Sequence, residues 1–339
     1  MRTLLLFLSI FLMTLTVQSQ AKVITVDNRA NSGADYTSLS EAVGAAMLGD
    51  TIQIHPSATG YGNATITKTL HLVGLGHNPA LSKYGERAAV GTISLSGNCA
   101  NSSIRGLQVN AVTTSSPINV SDIKIINNRI QSYIICNNNT AIQDWVVEGN
   151  LFDTGYVQPY GDGWIVKNNI FDNTNYALYN ADNTDSFLNN IVILSNGNFA
   201  TNCSNPIVNN NVFILEGSTT EVVLNNSAIV FNNNLSHNTT GYTVDPFKDG
   251  SNNLENISPG FSFAYANIAD YYNNDYNVSG AAENAGTDGT DLGVFGANFN
   301  FDIDGRPDDY PYMTSLDISN TSVPLGENIN VTFTAGKKQ

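Results

Sequence analysis

The chain has 339 residues and a formal net charge of −15, from 29 acidic and 14 basic side chains. Binding to nucleic acid depends on Lys and Arg side chains that neutralise phosphates, so this balance argues against nucleic acids and anionic membrane surfaces as partners. The length would allow two ordinary domains, but a repeat fold of this size forms a single unit.

The start of the chain has the pattern of an export signal. Arg2 precedes an apolar run at 4–15, and small or polar residues follow at 19–21. This order predicts a signal peptide over 1–21 and a secreted or extracellular protein, with the periplasm and the cell surface also open. No later stretch approaches the roughly 20 apolar residues that a membrane span needs.

Short strands and one helix are predicted next. Alternating segments at 23–26, 51–54, 64–66 and 70–73 predict β-strands. Between the first two, residues 36–47 have helical spacing, with Leu39, Val43 and Met47 on one face, and Ser38 and Glu41 can form a capping box. An amphipathic helix here is expected to cap the open end of the core, at about 35–48.

A short pattern then recurs six times between residues 126 and 235: apolar, variable, Asn or Gly, mostly Asn, apolar. Its third positions, spaced by 21, 19, 21, 21 and 23 residues, are Asn128, Gly149, Asn168, Asn189, Asn210 and Asn233. Such a period is typical of solenoids. Asn and Gly both tolerate positive φ, which predicts one bend per coil. Coils stacked about 4.8 Å apart would let these amides form a structural ladder.

The apolar positions on either side of this column are expected to form a continuous core. They are Ile126, Val147, Val166, Phe187, Val208 and Phe231 on one side, and Ile130, Leu151, Ile170, Ile191, Val212 and Leu235 on the other. A leucine-rich repeat has a similar length but needs regular leucines and a helix-forming segment. The sequence therefore predicts an all-β fold, a right-handed parallel β-helix over 22–300 with an N-terminal capping helix.

The composition changes after Phe301. Residues 302–311 are rich in Pro, Gly and Asp, and strand alternation follows at 316–318 and 329–333. Residues 301–339 are thus predicted to be a linker and a short C-terminal β segment. So short a pair of strands cannot bury a core of its own, and we expect it to pack along the solenoid or to cap its far end.

Three N-terminal stretches, 35–43, 49–54 and 66–74, resemble the opening of exported proteins of the pectate-lyase-like right-handed β-helix superfamily. Residues 286–293 resemble the closing segment of its bacterial members of Bacteroidetes type. The resemblance implies the fold and implies action on extracellular polysaccharides by lysis or hydrolysis. The Asn-Thr-Asp, Asp-Asp and Gly-His-Gly motifs of galacturonan hydrolases do not occur in a matching arrangement, and the Arg-x-x-Arg-x-Pro run of pectate lyases is absent.

A lyase of this fold would need a basic side chain with a lowered pKa, and carboxylates that hold Ca²⁺ against the substrate. Asp153 and Asp172 each lie four residues after a third repeat position, so stacking should place their carboxylates side by side. They form either a calcium site or a pair of solvated turn residues. Lys124, Arg129 and Lys167 are the nearby cations and the candidate catalytic residues.

Aromatic side chains are the candidates for binding sugar rings. Trp145 and Trp164 occupy the same position of consecutive coils, and Tyr156, Tyr160 and Tyr176 lie in nearby loops. If the tryptophan column points outward it is a platform for a saccharide. The alternative is that both indoles fill the core.

Several other side chains are expected to be structural. Glu148 and Lys167 share one position on adjacent coils, which predicts a cross-strand ion pair. Cys99, Cys136 and Cys203 are odd in number and lack metal or redox spacing, which predicts buried thiols. The four histidines share no metal-binding spacing.

The sequence predicts an exported β-helix protein, and the resemblance implies that it acts on or binds an extracellular, anionic polysaccharide. Its most concrete enzymatic form is a Ca²⁺-assisted polysaccharide lyase, with a glycoside hydrolase as the other enzymatic class. The alternative is a non-catalytic surface, adhesion or carbohydrate-binding protein. A face of clustered cations and acids would favour the enzyme, whereas a uniform face of Asn, Thr and aromatic residues would favour binding.

Overall fold

A computed structural model describes residues 20–136, 142–195, 198–223, 228–262, 271–308, 311–319 and 322–337. These residues form a parallel β-solenoid of about nine turns, with a short antiparallel sheet at the C-terminal end. The predicted β-helix fold is confirmed. The predicted signal peptide lies outside the described residues except at its last two positions. Within the described ranges, no helix has the length and apolar character needed to cross a membrane.

Successive coils build a first sheet of 11 parallel strands. In stacking order they are Val23–Val26, Thr51–Ile54, His71–Val73, Ser103–Arg105, Lys124–Ile126, Val146–Glu148, Ile165–Lys167, Ser186–Leu188, Ser204–Asn209, Ala228–Asn232 and Gly250–Ser251. The side chains alternate between the interior and the outer surface, as the strand period requires. Val147 and Val166 are buried, for example, while Ile165 is exposed.

A second sheet of 13 strands forms the rest of the wall. Its main run is Ala64–Lys68, Ala89–Asn98, Gln108–Asn119, Arg129–Ile135, Leu151–Phe152, Ile170–Thr174, Ile191–Leu194, Val212–Leu215, Leu235–Asn238 and Leu254–Glu255. Three shorter strands continue from the second half of Arg129–Ile135 and form a third face: Tyr156–Gln158, Leu178–Tyr179 and Ala200–Thr201.

The interior of the solenoid is filled by stacked aliphatic and aromatic columns. Phe152 and Phe171, paired in register, have ring centroids 4.3 Å apart. All three cysteines are buried as free thiols, as predicted, and burial raises their pKa values. Stacking of identical residue types on adjacent coils therefore stabilises the core without any cross-link.

The N-terminal helix is shorter than the sequence predicts. It spans Leu39–Ala45, and its N-cap Ser38 accepts a hydrogen bond from the backbone N–H of Glu41. Leu39 and Val43 are buried, but the prediction that Met47 joins their face is wrong, because the helix ends before it and Met47 is 60% exposed. The helix still contacts the first coils.

The once-per-coil bend is confirmed, with a correction of one residue in its first member. Gly149, Asn168, Asn189, Asn210 and Asn233 all have positive φ, but the residue that aligns with them is Asn127 and not Asn128. The strand register pairs Val147 with Ile125, which shifts that coil by one position. Two consecutive Asn residues made both alignments compatible with the pattern.

The asparagine ladder lies one position after the bend, so Asn128 is the one member of the predicted column that belongs to it. Each backbone N–H of this ladder donates to the side-chain oxygen of the next Asn, as in Asn190 to Asn211 at 2.8 Å. The ladder consists of Asn128, Asn150, Asn169, Asn190, Asn211, Asn234 and Asn253. These side chains turn inward and satisfy buried backbone groups at the bend.

The bend residues instead hold a long C-terminal stretch, residues 271–308, here called the covering segment. Asn168 Nδ2 donates to the backbone oxygens of Val294 and Gly296, and Asn233 Nδ2 donates to that of Ala285. The second predicted apolar column packs against the covering segment and forms a hydrophobic cluster separate from the main core. The cluster consists of Leu151, Ile170, Ile191, Val212 and Leu235 from the coils and of Tyr271, Tyr276, Val278, Leu292, Val294 and Phe301 from the covering segment. Only Ile130 of that column lies in the main core.

The last residues of the covering segment return to the early coils. The backbone N–H of His77 donates to the backbone oxygen of Asp304, and Asn127 Nδ2 donates to the backbone oxygen of Arg306. Two strands follow, Tyr312–Ile318 and Val331–Gly336, which pair with each other in antiparallel register. Asp304 and Arg306 thus lie against the early coils, while the packing of the two strands on the solenoid stays a prediction.

Candidate functional site

The two tryptophans are buried in the core and cannot receive a sugar from solution. Trp145 and Trp164 are both 0% exposed, and their rings stack at 4.4 Å. The preceding residues, Asp144 and Gly163, have positive φ and turn the chain so that the indoles enter the interior. The prediction of a tryptophan platform is therefore wrong, and the alternative of core indoles holds.

Tyrosine side chains gather instead on the third face of the solenoid. The ring centroids of Tyr156 and Tyr176 are 4.6 Å apart, and Tyr133 lies 5.9 Å from Tyr156. Tyr179 completes the group at 5.7 Å from Tyr176. These four half-buried tyrosines are called the tyrosine face. Tyr160 is not part of it, because it packs against the core.

Strand register explains why these rings point outward. Tyr133 pairs with Tyr156, and the next residues, Ile134 and Val157, pair with each other and are buried. Alternation along each strand then places Tyr133, Tyr156 and Tyr179 on the outer surface, and Tyr176 joins them from just before the strand Leu178–Tyr179. The face spans three consecutive coils, about 10 Å along the solenoid axis.

The tyrosine face is uncharged. Burial raises the pKa of Tyr156 to about 12, with further contributions from Tyr176 and its other tyrosine neighbours. The phenol therefore stays protonated at neutral pH. Asn202 Nδ2 donates to the Tyr179 hydroxyl at 3.0 Å, so an amide group borders the rings. The surface offers flat apolar rings together with hydroxyl and amide groups.

The candidate catalytic cations do not converge on one place. Lys124 and Lys167 lie on the first sheet, and Lys167 Nζ is 2.9 Å from Glu148 Oε1, which confirms the predicted ion pair. Arg129 lies on the second sheet beneath the covering segment, where its Nε donates to Asp153 Oδ1 at 2.8 Å.

A second group of tyrosines closes over Arg129. Arg129 Nη1 donates to the Tyr272 hydroxyl at 3.3 Å, and that hydroxyl lies 3.0 Å from the backbone oxygen of His77. The Tyr271 hydroxyl donates to Asp172 Oδ2 at 2.6 Å. We call these contacts between the coils and the covering segment the tyrosine latch.

The ionisation of the latch residues suits a structural contact more than proton transfer. Burial lowers the pKa of His77 to about 3, assisted by the charges of Arg129 and Arg87, so the imidazole is neutral. Burial and the Asp172 carboxylate raise the pKa of Tyr271 well above its usual value. Although burial opposes it, the hydrogen bond and charge of Asp153 raise the pKa of Arg129. None of these three groups is poised as a base near neutral pH.

The predicted neighbours Asp153 and Asp172 do directly follow the paired residues Phe152 and Phe171. Both carboxylates already bind protein groups, Asp153 the Arg129 guanidinium and Asp172 the Tyr271 hydroxyl. Calcium takes roughly six to eight oxygen ligands. In the part of the chain that the structure covers, no group of three or more His, Cys, Asp or Glu side chains could hold a metal ion. These donors do not complete a calcium site, and calcium stays a prediction.

Two members of the tyrosine face, Tyr133 and Tyr179, were missed from sequence, whereas Tyr156 and Tyr176 were predicted. Tyr133 and Tyr156 are 23 residues apart, which is one coil, so the repeat period could have paired them. No such signal exists for the latch, since His77 and Tyr272 are separated by 195 residues.

Comparison with known proteins identifies no family. No family model matches the chain, and no curated protein matches it. One solved structure, described as "The complex structure of XylC with xylose", is similar over 63% of this chain and 54% of that chain, with 11% identity and a TM-score of 0.28. The chain thus spans about half the length of that structure. The fold and the tyrosine face define a parallel β-helix protein with an uncharged aromatic surface.

Proposed function

We propose that this protein is an exported β-helix protein that binds an extracellular polysaccharide through the tyrosine face. One observation carries the proposal: four tyrosines from three consecutive coils form a half-exposed, uncharged cluster. Aromatic side chains supply a large apolar contact area with a polar tip. The C–H faces of sugar rings fit such surfaces, and the hydroxyl groups of a sugar can pair with phenol and amide groups at the border.

The direction of the repeat favours a polymer over a single sugar. Tyr133, Tyr156 and Tyr176 follow the solenoid axis, so a chain lying along that axis would meet one aromatic ring after another. Each contact alone is modest, about 0.5–1.5 kcal/mol beyond the area that is buried. Several contacts along one chain together give measurable retention.

Binding to a panel of polysaccharides tests this function. The wild type and Tyr156→Ala would be compared by affinity electrophoresis in gels that contain neutral glycans or anionic, uronate-containing glycans. We expect retention by at least one polysaccharide and loss of most of it in Tyr156→Ala. Tyr242→Ala is the control, because Tyr242 is 53% exposed and lies outside the tyrosine face. Equal retention of Tyr156→Ala and wild type would contradict the proposal.

A Ca²⁺-assisted lyase is the second candidate. One arrangement favours it: Arg129, Asp153, Asp172 and two phenols meet at one corner of the coils. The raised pKa values of Tyr271 and Tyr272 disfavour it, because a lyase needs a group that accepts a proton. Lyase activity is tested by incubating the protein with uronate polysaccharides and Ca²⁺ and measuring the ultraviolet absorbance of unsaturated products. The absence of any signal would remove it.

A further inference from the structure

The two C-terminal strands expose an apolar surface, and exposure of such a surface to water is unfavourable. Leu316 pairs with Phe333, and Ile318 pairs with Val331, so all four side chains share one face. They are 49–64% exposed. The other face carries Asp317 and its partner Thr332. We call these strands, Tyr312–Ile318 and Val331–Gly336, the C-terminal ribbon.

Such a ribbon needs a partner for physical reasons. An isolated pair of strands is at best marginally stable in water, and three or more strands or a packing surface are needed. The apolar and polar faces are cleanly separated, which is the pattern of a sheet with one buried side. The ribbon face is therefore expected to be covered.

The first sheet of the solenoid carries a matching apolar surface. Val146 pairs with Ile165, which pairs with Ser186, and the column continues through Ile207 to Val230. Ile165, Ile207 and Val230 are 37–47% exposed. We call this outward column the aliphatic stripe. The stripe consists of aliphatic side chains, with Ser186 as its one polar residue in the middle.

The ribbon is tethered beside this stripe. Pro307 packs against Gly106, at the bend that follows the first-sheet strand Ser103–Arg105. The five residues from Pro307 to Tyr312 span up to about 17 Å. The stripe begins two coils further along the axis, about 10 Å away.

The dimensions of the two surfaces also agree. A strand of seven residues, such as Tyr312–Ile318, is about 23 Å long. The aliphatic stripe extends over four coil steps, about 19 Å. A ribbon laid parallel to the solenoid axis would therefore cover the stripe along its whole length.

We propose that the apolar face of the C-terminal ribbon docks on the aliphatic stripe of the same chain. A second copy offers the same surface, but a tethered ribbon has an effective concentration in the millimolar range, roughly a thousandfold above a micromolar partner. The contact is a small sheet-on-sheet packing with the two surfaces about 10 Å apart. This docking is independent of polysaccharide binding, because the stripe and the tyrosine face lie on different faces of the solenoid.

Cysteine cross-linking tests the docking. Ser186→Cys, in the middle of the stripe, would be combined in turn with a cysteine at 316, 318, 331 or 333 on the apolar face of the ribbon. Matched controls combine it with Asp317→Cys or Thr332→Cys on the polar face. The native thiols are buried, so they stay out of the reaction in the folded protein.

We expect at least one apolar-face pair to form an intramolecular disulfide at least tenfold faster than both polar-face pairs. The readout is peptide mass mapping under mild oxidation at micromolar protein concentration. Equal rates for the two faces would overturn the docking. Disulfide-linked dimers in place of intramolecular bonds would also overturn it and would assign the ribbon face to a second copy.

Discussion

Two groups of tyrosines in this protein have the same chemistry and opposite surroundings. On the tyrosine face, Tyr156 and Tyr176 contact other tyrosines and remain open on one side. In the tyrosine latch, Tyr271 is 9% exposed and donates to Asp172, and Tyr272 binds Arg129. The difference lies in what covers the coils, because the covering segment closes one corner and leaves the third face open.

The comparison separates structural from functional aromatic residues. In the latch, the hydroxyl groups of Tyr271 and Tyr272 both form hydrogen bonds with protein groups, and these bonds contribute to stability. On the tyrosine face the rings contact one another and are half-buried, so part of their surface remains available for a ligand. We therefore expect latch variants to lose stability and tyrosine-face variants to lose binding.

The largest effect is expected from removing the centre of the latch. Arg129→Met leaves the Asp153 carboxylate without its cation and the Tyr272 hydroxyl without its donor. Removing one partner of a buried ion pair costs about 3–5 kcal/mol, and partial exposure of this pair reduces the loss to about 2–3 kcal/mol. Urea denaturation measures it. Lys124→Met, at an exposed position of the first sheet, should stay within about 0.5 kcal/mol of wild type, and an equal loss there would refute the assignment.

The pH dependence of the latch comes next in size. The folded-state pKa of His77 is lowered to about 3, so the unfolded chain takes up a proton below about pH 6.5 while the folded chain does not. His77 therefore contributes stability above pH 6.5 that is lost as the pH falls. The loss amounts to about 2 kcal/mol between pH 7 and pH 5. The unfolding free energy of His77→Gln should lack this component.

An acid elsewhere in the molecule provides the opposite control. Burial raises the folded-state pKa of Asp185 to about 6, so its contribution to stability is present at low pH and lost as the pH rises through 6. Asp185→Asn should therefore change the pH profile in the reverse sense to His77→Gln. Identical profiles for the two variants would show that neither group titrates as described.

Removal of one tyrosine hydroxyl from each region compares the latch and the tyrosine face directly. Tyr271→Phe removes a donor from the buried Asp172 carboxylate and should cost about 1–2 kcal/mol of unfolding free energy. Tyr156→Phe removes a hydroxyl from the open face and should cost less than about 0.5 kcal/mol. Thermal unfolding of the two variants side by side measures the difference. If both variants lose the same unfolding free energy, the distinction between the latch and the tyrosine face is wrong.

The smallest expected effect is a gradient of affinity within the tyrosine face. Tyr156 contacts three other tyrosines, whereas Tyr133 contacts Tyr156 at the edge of the group. Tyr156→Ala should therefore weaken polysaccharide binding about tenfold and Tyr133→Ala by only about threefold, in line with aromatic contacts of about 0.5–1.5 kcal/mol. Affinity electrophoresis ranks the two variants, and a reversed order would move the centre of the site.

The period of the Asn and Gly residues predicted the fold and the once-per-coil bend. It could not fix the register of the first coil, because Asn127 and Asn128 both fit the bend position and only strand pairing distinguishes them. Consecutive residues at the bend point in different directions, so Asn168, Asn210 and Asn233 bind the covering segment while the Asn residues that follow them turn inward and form the ladder.

The candidate site was harder to predict than the fold. The repeat brought Tyr156 and Tyr176 onto adjacent coils, but the direction of Trp145 and Trp164 depends on the positive φ of the residues before them. The latch joins residues far apart in sequence and follows no period, so the fate of Arg129 and Asp172 could be seen only after folding.

The central claim is that the open tyrosines bind polysaccharide and the covered ones do not. Isothermal titration of a retained polysaccharide against Tyr156→Ala/Tyr176→Ala and against Tyr271→Phe tests it most directly. The account predicts that the double variant loses detectable binding while keeping its thermal stability, and that Tyr271→Phe loses stability while binding as wild type does. Undiminished binding by a folded double variant would contradict it.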